Sequence, residues 1–217
     1  MKISVLGTGM VGERIATRLA ELGNDVMMGS RTADNKTATE WARKNGSRAQ
    51  CGTFEDAVKF GEIVFLCVKG EAVIEVIRLA KPANFKDKTV IDISNPLDFT
   101  RGMPPSLLIS NTNSLGEEVQ KAIPAARVVK TLNMVSNEIM TAPEKTGGEP
   151  TMFVCGNDAS AKKQATALLA SFGWKDILDL GDISSARGTE MLLPIWLRIW
   201  GVLNDGNFAF KIVRKKP

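Results

Sequence analysis

Apolar residues in this chain fall into two kinds of stretch that alternate along it. Some are short unbroken runs, such as Ile63-Val64-Phe65-Leu66-Cys67-Val68. A run without alternation is what a parallel strand covered on both faces requires. Residues 3–6, 25–28, 49–53, 89–93, 127–132, 151–155 and 176–180 read as further strands. The stretches between them place apolar residues on one helical face. Val11, Ile15, Leu19 and Leu22 form such a stripe, and Gly23 is positioned to end it. Helices are likewise expected at residues 37–45, 72–80, 114–123 and 159–172, the last with Asn157-Asp158 available as a cap, and a helical turn at 55–60. Residues 141–150, with two prolines and two adjacent glycines, form the best candidate boundary. After 181–185 comes the longest helical candidate, residues 186–203. It is apolar almost all round, so it is expected to be buried between elements or between subunits. Strands and helices alternating at this spacing call for a doubly wound, mostly parallel α/β sheet. The C-terminal third either extends that sheet or forms a small α/β lobe, which divides the chain into residues 1–145 and 146–217.

Composition narrows the functional classes. The chain has 217 residues, 44% of them hydrophobic and 24% charged, enough for a substantial core. The net charge of +4 and pI near 9.0 come from dispersed cations, and the only cluster is Arg214-Lys215-Lys216, which reads as a solvated tail. Nucleic acid is therefore not the expected partner, although a mild positive field favours anionic ligands. The apolar stretch 191–203 is interrupted by Arg198 and is shorter than the roughly 20 residues of a membrane span. Because the first residues already form a strand, no cleavable leader is expected, and cytoplasm is the default. Cys51, Cys67 and Cys155 are odd in number and form no CxxC pair, so they read as thiols in a reducing compartment. With no histidine and no clustered cysteines, no metal site is expected.

The candidate chemistry begins just past the first strand, at Gly7-Thr8-Gly9-Met10-Val11-Gly12. Strand, GxGxxG and helix in succession form the dinucleotide-binding fingerprint of a Rossmann fold. Gly7 permits the tight turn, Gly9 lets a pyrophosphate approach the backbone, and Gly12 allows close helix–strand packing. The second strand ends in Gly29-Ser30-Arg31-Thr32 instead of in an acidic residue. A carboxylate there accepts the ribose 2′-OH of NAD and repels a 2′-phosphate. A guanidinium binds that phosphate and stacks on adenine, so NADP(H) is the expected cofactor, with Ser30, Thr32 and Lys36 as added donors.

The chain also contains neither histidine nor tyrosine. Reducing a ketone leaves an alkoxide that needs a proton, commonly from one of those residues. Hydride transfer to a flavin-like ring spreads the charge over heteroatoms, and backbone N–H groups suffice to stabilise it. The composition thus tilts toward a redox-coenzyme acceptor. In this fold ligands sit at the carboxyl ends of the strands. Those ends are Cys67-Val68-Lys69, expected beside the nicotinamide ribose, Ser94-Asn95-Pro96, and Asn133-Met134. Asn95 and Asn133 are the candidates for hydrogen bonding to the nicotinamide or the acceptor ring, with Asn-Pro turn chemistry as the other reading of Asn95.

The stretches GTGMVG (7–12), GSR (29–31), DISNP (92–96), VVKTLN (128–133) and SSARGTEMLLP (184–194) together resemble the NADP oxidoreductases dependent on the deazaflavin coenzyme F-420. They are also similar to the oxidoreductase domain of six-transmembrane metalloreductases. The resemblance implies a Rossmann domain with a small C-terminal lobe, a homodimer, and NADP held by Thr8, Gly9, Met10, Val11, Ser30 and Arg31. It implies direct hydride transfer to a stacked acceptor, with coenzyme F-420, FMN and FAD as the candidates. The lysine that the family places after its Ser-Arg pair is matched approximately by Lys36, with Asn35 an equal contender. Lys130 is expected to be a packed or surface lysine, and Arg187 and Glu190 to pair with each other across one helical turn. Trp196, Trp200, Phe208 and Phe210 read as core or dimer packing more than as a ring platform. Two other functions fit the same residues. One is an imine or carbonyl reductase drawing its proton from Lys130, Lys69 or water, and the other is a non-catalytic NADP-binding redox sensor.

Overall fold

In the computed structural model, which describes residues 1–215, the apolar runs pair into one eight-stranded sheet. In chain order the first half is β1 (Lys2–Leu6), α1 (Met10–Glu21), β2 (Asp25–Ser30), α2 (Lys36–Lys44), β3 (Ala49–Thr53), α3 (Phe54–Phe60), β4 (Ile63–Leu66), α4 (Val73–Ala80) and β5 (Thr89–Asp92). A small antiparallel hairpin of β6 (Leu97–Asp98) and β7 (Ser106–Leu107) follows. The chain continues through α5 (Leu115–Ala122), β8 (Arg127–Thr131), α6 (Asn137–Thr141), β9 (Thr151–Cys155), α7 (Ala159–Phe172), β10 (Asp176–Asp179), α8 (Ala186–Met191) and α9 (Leu193–Leu203).

Spatial order across the sheet is β10-β9-β8-β5-β4-β1-β2-β3. Every pairing is parallel except that of β8 with β9. The chain winds outward from β1 through β3, then crosses back to β4 on the other side of β1. Between β1 and β4 lies the switch point at which such sheets open a ligand crevice. Helices α1, α2, α6 and α7 cover one face, over Ile15, Trp41 and Phe172, and α3, α4 and α5 cover the other, over Phe54, Ile77 and Val119. Coverage on both sides is why the strands show no polar alternation.

Local chemistry sets the element ends. Gly23, at φ +82 just past the Leu22 cap, closes α1. Thr53 and Asp56 form a reciprocal capping box on α3, and the Asp158 side chain accepts from the Ala161 N–H at the start of α7.

Several expectations are corrected. Strand β2 runs to Ser30 instead of Met28, because Gly29 and Ser30 pair with Gly52 and Thr53 of β3. Residues 141–150 are not all loop, since α6 reaches Thr141 and a 3₁₀ turn spans Pro143–Thr146. Of the two arrangements open for the C-terminal third, the strands beyond residue 150 take the first and extend the main sheet, with β9 registered on β8 through Lys130 and Cys155. The helix expected over 186–203 is two helices, with Pro194 near the start of the second, where its missing N–H costs nothing. Within the chain α9 buries Leu193 and Trp196 and leaves Ile195, Trp200, Val202 and Leu203 exposed. Lys216 of the basic tail lies outside the described residues. Among the described residues, no helix is long and apolar enough to cross a membrane.

Candidate functional site

The glycine loop leaves β1 at Gly7, whose φ of +126 is one that side-chain-bearing residues avoid. A Cβ there would lie 2.3 Å from the Cys67 carbonyl oxygen. One at Gly12 would lie 2.2 Å from the carbonyl oxygen of Gly7, so helix and strand pack this closely only through glycine. Gly9 is different: a Cβ would meet no atom within 4 Å, and this N-cap position contributes no side-chain bond to α1. The N–H groups of Met10, Val11 and Gly12 have no partner inside the helix, and the positive end of its dipole lies there too. Open space over free N–H groups is the fit a pyrophosphate needs. Thr8 is half-buried beside it.

The loop after β2 adjoins this cradle, since the Gly7 N–H donates to Gly29 O at 3.0 Å. Ser30 is buried and its hydroxyl donates to the Thr32 carbonyl, so it shapes the turn. Arg31, Thr32 and Lys36 are exposed, and Arg31 makes no ion pair among the described residues. The hydrogen-bonded Arg78 and, at longer range, Arg31 hold the Glu75 carboxyl below the usual carboxylate range, which puts Arg31 within Coulomb reach of α4. Asn35 is committed as the N-cap of α2, accepting from the Ala38 N–H at 3.1 Å, and Lys36 is exposed and makes no ion pair among the described residues.

Toward the other side of the switch point, the Cys67 N–H donates to Leu6 O at 2.9 Å and the Val68 side chain lies against Gly7. Burial first, and Asp92 second, push the Cys67 thiol upward, so it stays neutral. Lys69 is exposed. At Gly70 a Cβ would lie 2.0 Å from Asn95 O, so the loops after β4 and β5 meet backbone to backbone. Ser94 and Pro96 are buried around a half-buried Asn95. The two candidate asparagines come together: Asn133 Nδ2 donates to Asn95 Oδ1 at 3.0 Å, and Asn95 Nδ2 donates to Asn133 O at 2.7 Å. Asn133 Nδ2 also donates to Thr189 O at 3.1 Å, which leaves Asn133 Oδ1 as its uncommitted polar atom among the described residues.

Behind this pair lies a group that the sequence did not disclose. Lys130 is the packed lysine of the two alternatives, but its neighbours are charged. It is fully buried and bonded to Asp92 at 3.0 Å and Glu190 at 2.8 Å. Arg187 and Glu190 do not pair with each other; Arg187 forks onto Glu117 through its Nε and Nη2, at 2.8 and 2.6 Å. The available signal was Asp92 itself, a carboxylate inside a buried apolar run, which demands a buried partner. Trp196 stacks on Phe208 with centroids 5.0 Å apart, which is packing within the chain. No group of three metal-ligating side chains occurs among the described residues.

Five loops at one edge of the sheet thus form a continuous rim, with a phosphate cradle at one end and an amide pair at the other. Comparison with known proteins identifies the family to which this chain is similar. Residues 2–96 match the family described as NADP oxidoreductase coenzyme F420-dependent. Over 204 residues the chain is 30% identical to the F420-dependent NADP reductase of Methanocaldococcus jannaschii, covering 90% of each. It is also 30% identical over 199 residues to the metalloreductase STEAP3 of Rattus norvegicus, but it spans only 38% of that protein. A crystal structure from Arthrobacter sp. FB24, provisionally described as an F420-dependent NADP-reductase, superimposes with a TM-score of 0.95 at 44% identity, covering 99% of this chain and 100% of that one. The chain therefore belongs to the F420-dependent NADP reductase family of NADP-dependent oxidoreductases.

Proposed function

We propose that the protein transfers hydride between NADP(H) and a flavin or deazaflavin-type acceptor, with coenzyme F-420 as the acceptor to which its family points. The observation that carries this is the open cradle at Gly9 combined with Arg31 at the end of β2, in a chain 30% identical across 90% of its length to a reductase of that kind. NADPH held there supplies the hydride. The N–H groups of Met10, Val11 and Gly12 take the pyrophosphate, and Arg31, with Thr32 and Lys36, takes the 2′-phosphate. Cys67, Val68 and Lys69 flank the nicotinamide ribose. Asn133 Oδ1 and the outer edge of Asn95 orient the nicotinamide against the acceptor ring.

Transfer to a ring that delocalises the added charge fits a chain with no histidine or tyrosine to donate a proton. The imine or carbonyl reading loses one of its proton sources, because Lys130 is fully buried and already holds two carboxylates. Residues 1–145 would carry the nucleotide, and residues 146–217 the acceptor side and a dimer contact. Three free cysteines fit a reducing compartment such as the cytoplasm.

The deciding experiment is stopped-flow oxidation of bound NADPH on mixing with coenzyme F-420, then with FMN, FAD and ferric chelates. Fast single-turnover transfer to coenzyme F-420 is expected. Tight NADPH binding with no oxidation by any of them would instead favour the imine or carbonyl reductase and redox-sensor readings.

A further inference from the structure

Asp92 ends β5, Lys130 lies next to the end of β8, and Glu190 lies in the last turn of α8, with relative exposures of 0%, 0% and 1%. Taking each charge out of water costs several kcal/mol, to be offset by partners. Here the partners are complete. The Lys130 ammonium donates to Asp92 Oδ2 at 3.0 Å and Ser94 O at 2.6 Å, and bonds Glu190 Oε1 at 2.8 Å. Glu190 also accepts the first N–H groups of α5, from Leu115 at 2.8 Å and Gly116 at 2.9 Å. Asp92 Oδ1 takes the Ser94 N–H at 2.9 Å and its hydroxyl at 2.6 Å. Burial opposes the charge on Lys130, but the Asp92 and Glu190 carboxylates outweigh it and hold the ammonium above its ordinary value.

Buried ion pairs often stabilise a fold no better than apolar residues of equal volume, so stability is weak grounds for keeping these charges. Their position does. Ser94, whose carbonyl Lys130 holds, precedes Asn95. Thr189, next to Glu190, presents the carbonyl that receives Asn133 Nδ2, and Asn133 in turn bonds Asn95. The charged cluster and the amide pair therefore share one closed ring, made of hydrogen bonds and the Ser94–Asn95 and Thr189–Glu190 chain links, that ties α8 to the strand ends.

We propose that Glu190 is a positioning residue: by locking α8 onto Lys130 and the first turn of α5, it fixes the Thr189 carbonyl and so the orientation of the Asn95–Asn133 pair. The proposal rests on the reading that this pair borders the nicotinamide. Glu190→Gln keeps the shape and leaves Asp92 and Lys130 as a neutral pair. It also turns one acceptor oxygen into a donor that must face either Lys130 or an α5 N–H.

The expected result is single-turnover hydride transfer to coenzyme F-420 slowed at least tenfold, with kcat lowered, KM for NADPH unchanged and NADPH affinity within about twofold of wild type. In NMR spectra of protein with ¹⁵N-labelled asparagine, the Asn133 side-chain amide should be protected from solvent exchange in wild type and lose that protection in the variant. Glu117→Gln breaks the Arg187 fork in the same α5–α8 interface without touching the ring, and should leave both readouts unchanged. Equal losses in Glu117→Gln would mean that helix docking alone matters, which overturns the proposal. An unchanged rate and an unchanged Asn133 amide in Glu190→Gln would also overturn it. Should Glu190→Gln fail to fold, Glu190→Asp, which keeps the charge and retracts it by one methylene, is expected to show a smaller loss of the same kind. If wild type transfers no hydride at all, the reaction reading falls by itself, and the Asn133 amide still decides the role of Glu190.

Discussion

Arg31 stands where a carboxylate would turn a 2′-phosphate away, and it is exposed with no competing ion pair among the described residues. Replacing it with alanine is expected to weaken NADPH binding by about 1.5–3 kcal/mol, the range of a charged hydrogen bond, or roughly ten- to a hundredfold. NADH binding should be nearly unaffected, and fluorescence titration with both cofactors checks this. Equal losses would assign Arg31 to loop support. The position of Arg31, exposed just past β2, was legible because it depends on local order alone: glycine motif, helix, strand, then a cation. Glu190 was not, because its partners Leu115, Gly116 and Lys130 are distant in sequence and only folding brings them together. The expected Arg187–Glu190 pair failed for the same reason, since i,i+3 neighbours on a helix pair only when nothing buried competes for them.

At the scale of the element, the strand–loop–helix at the N-terminus holds two glycines that do different work. Gly12→Ala forces a Cβ to 2.2 Å from Gly7 O, so it is expected to lower thermal stability and NADPH affinity together. Gly9→Ala meets no protein atom, and its φ of −80° suits alanine. Stability should then stay within about 0.5 kcal/mol of wild type, as for surface substitutions. NADPH affinity should still fall, because the added methyl occupies the space expected for the pyrophosphate. Urea unfolding and isothermal titration on both variants separate the two effects, and a Gly9→Ala protein that binds NADPH normally would remove the phosphate from this loop. Elements with a full period were legible: strand 151–155 and helix 159–172 stand where the pattern predicts them. The β6–β7 hairpin was not, since two residues per strand carry no period. Nor was the break between α8 and α9, because proline in a first helical turn fits a new helix start and leaves the apolar pattern intact.

For the whole molecule, α9 presents an apolar surface with no partner among the described residues. Ile195, Ile199, Val202 and Leu203 repeat at the i, i+4, i+7 and i+8 spacing of a helix that packs on something, and Val202 is 84% exposed. A second copy of the chain is the proposed cover. Sedimentation velocity of wild type should then give a dimer, and the double variant Ile195→Glu, Leu203→Glu a monomer that still binds NADPH. A monomeric wild type would discard the dimer.

The order of strands and helices, the glycine loop and the cation that follows the second strand were determined by the sequence itself, because each rests on neighbours within a few residues and on a period that backbone geometry imposes. The tertiary structure alone decided that β9 and β10 join the main sheet. It also brought Asn95 onto Asn133 and buried Lys130 between Asp92 and Glu190. Those outcomes depend on which distant groups desolvate each other, and a buried charge finds its partner in space, whatever the separation along the chain.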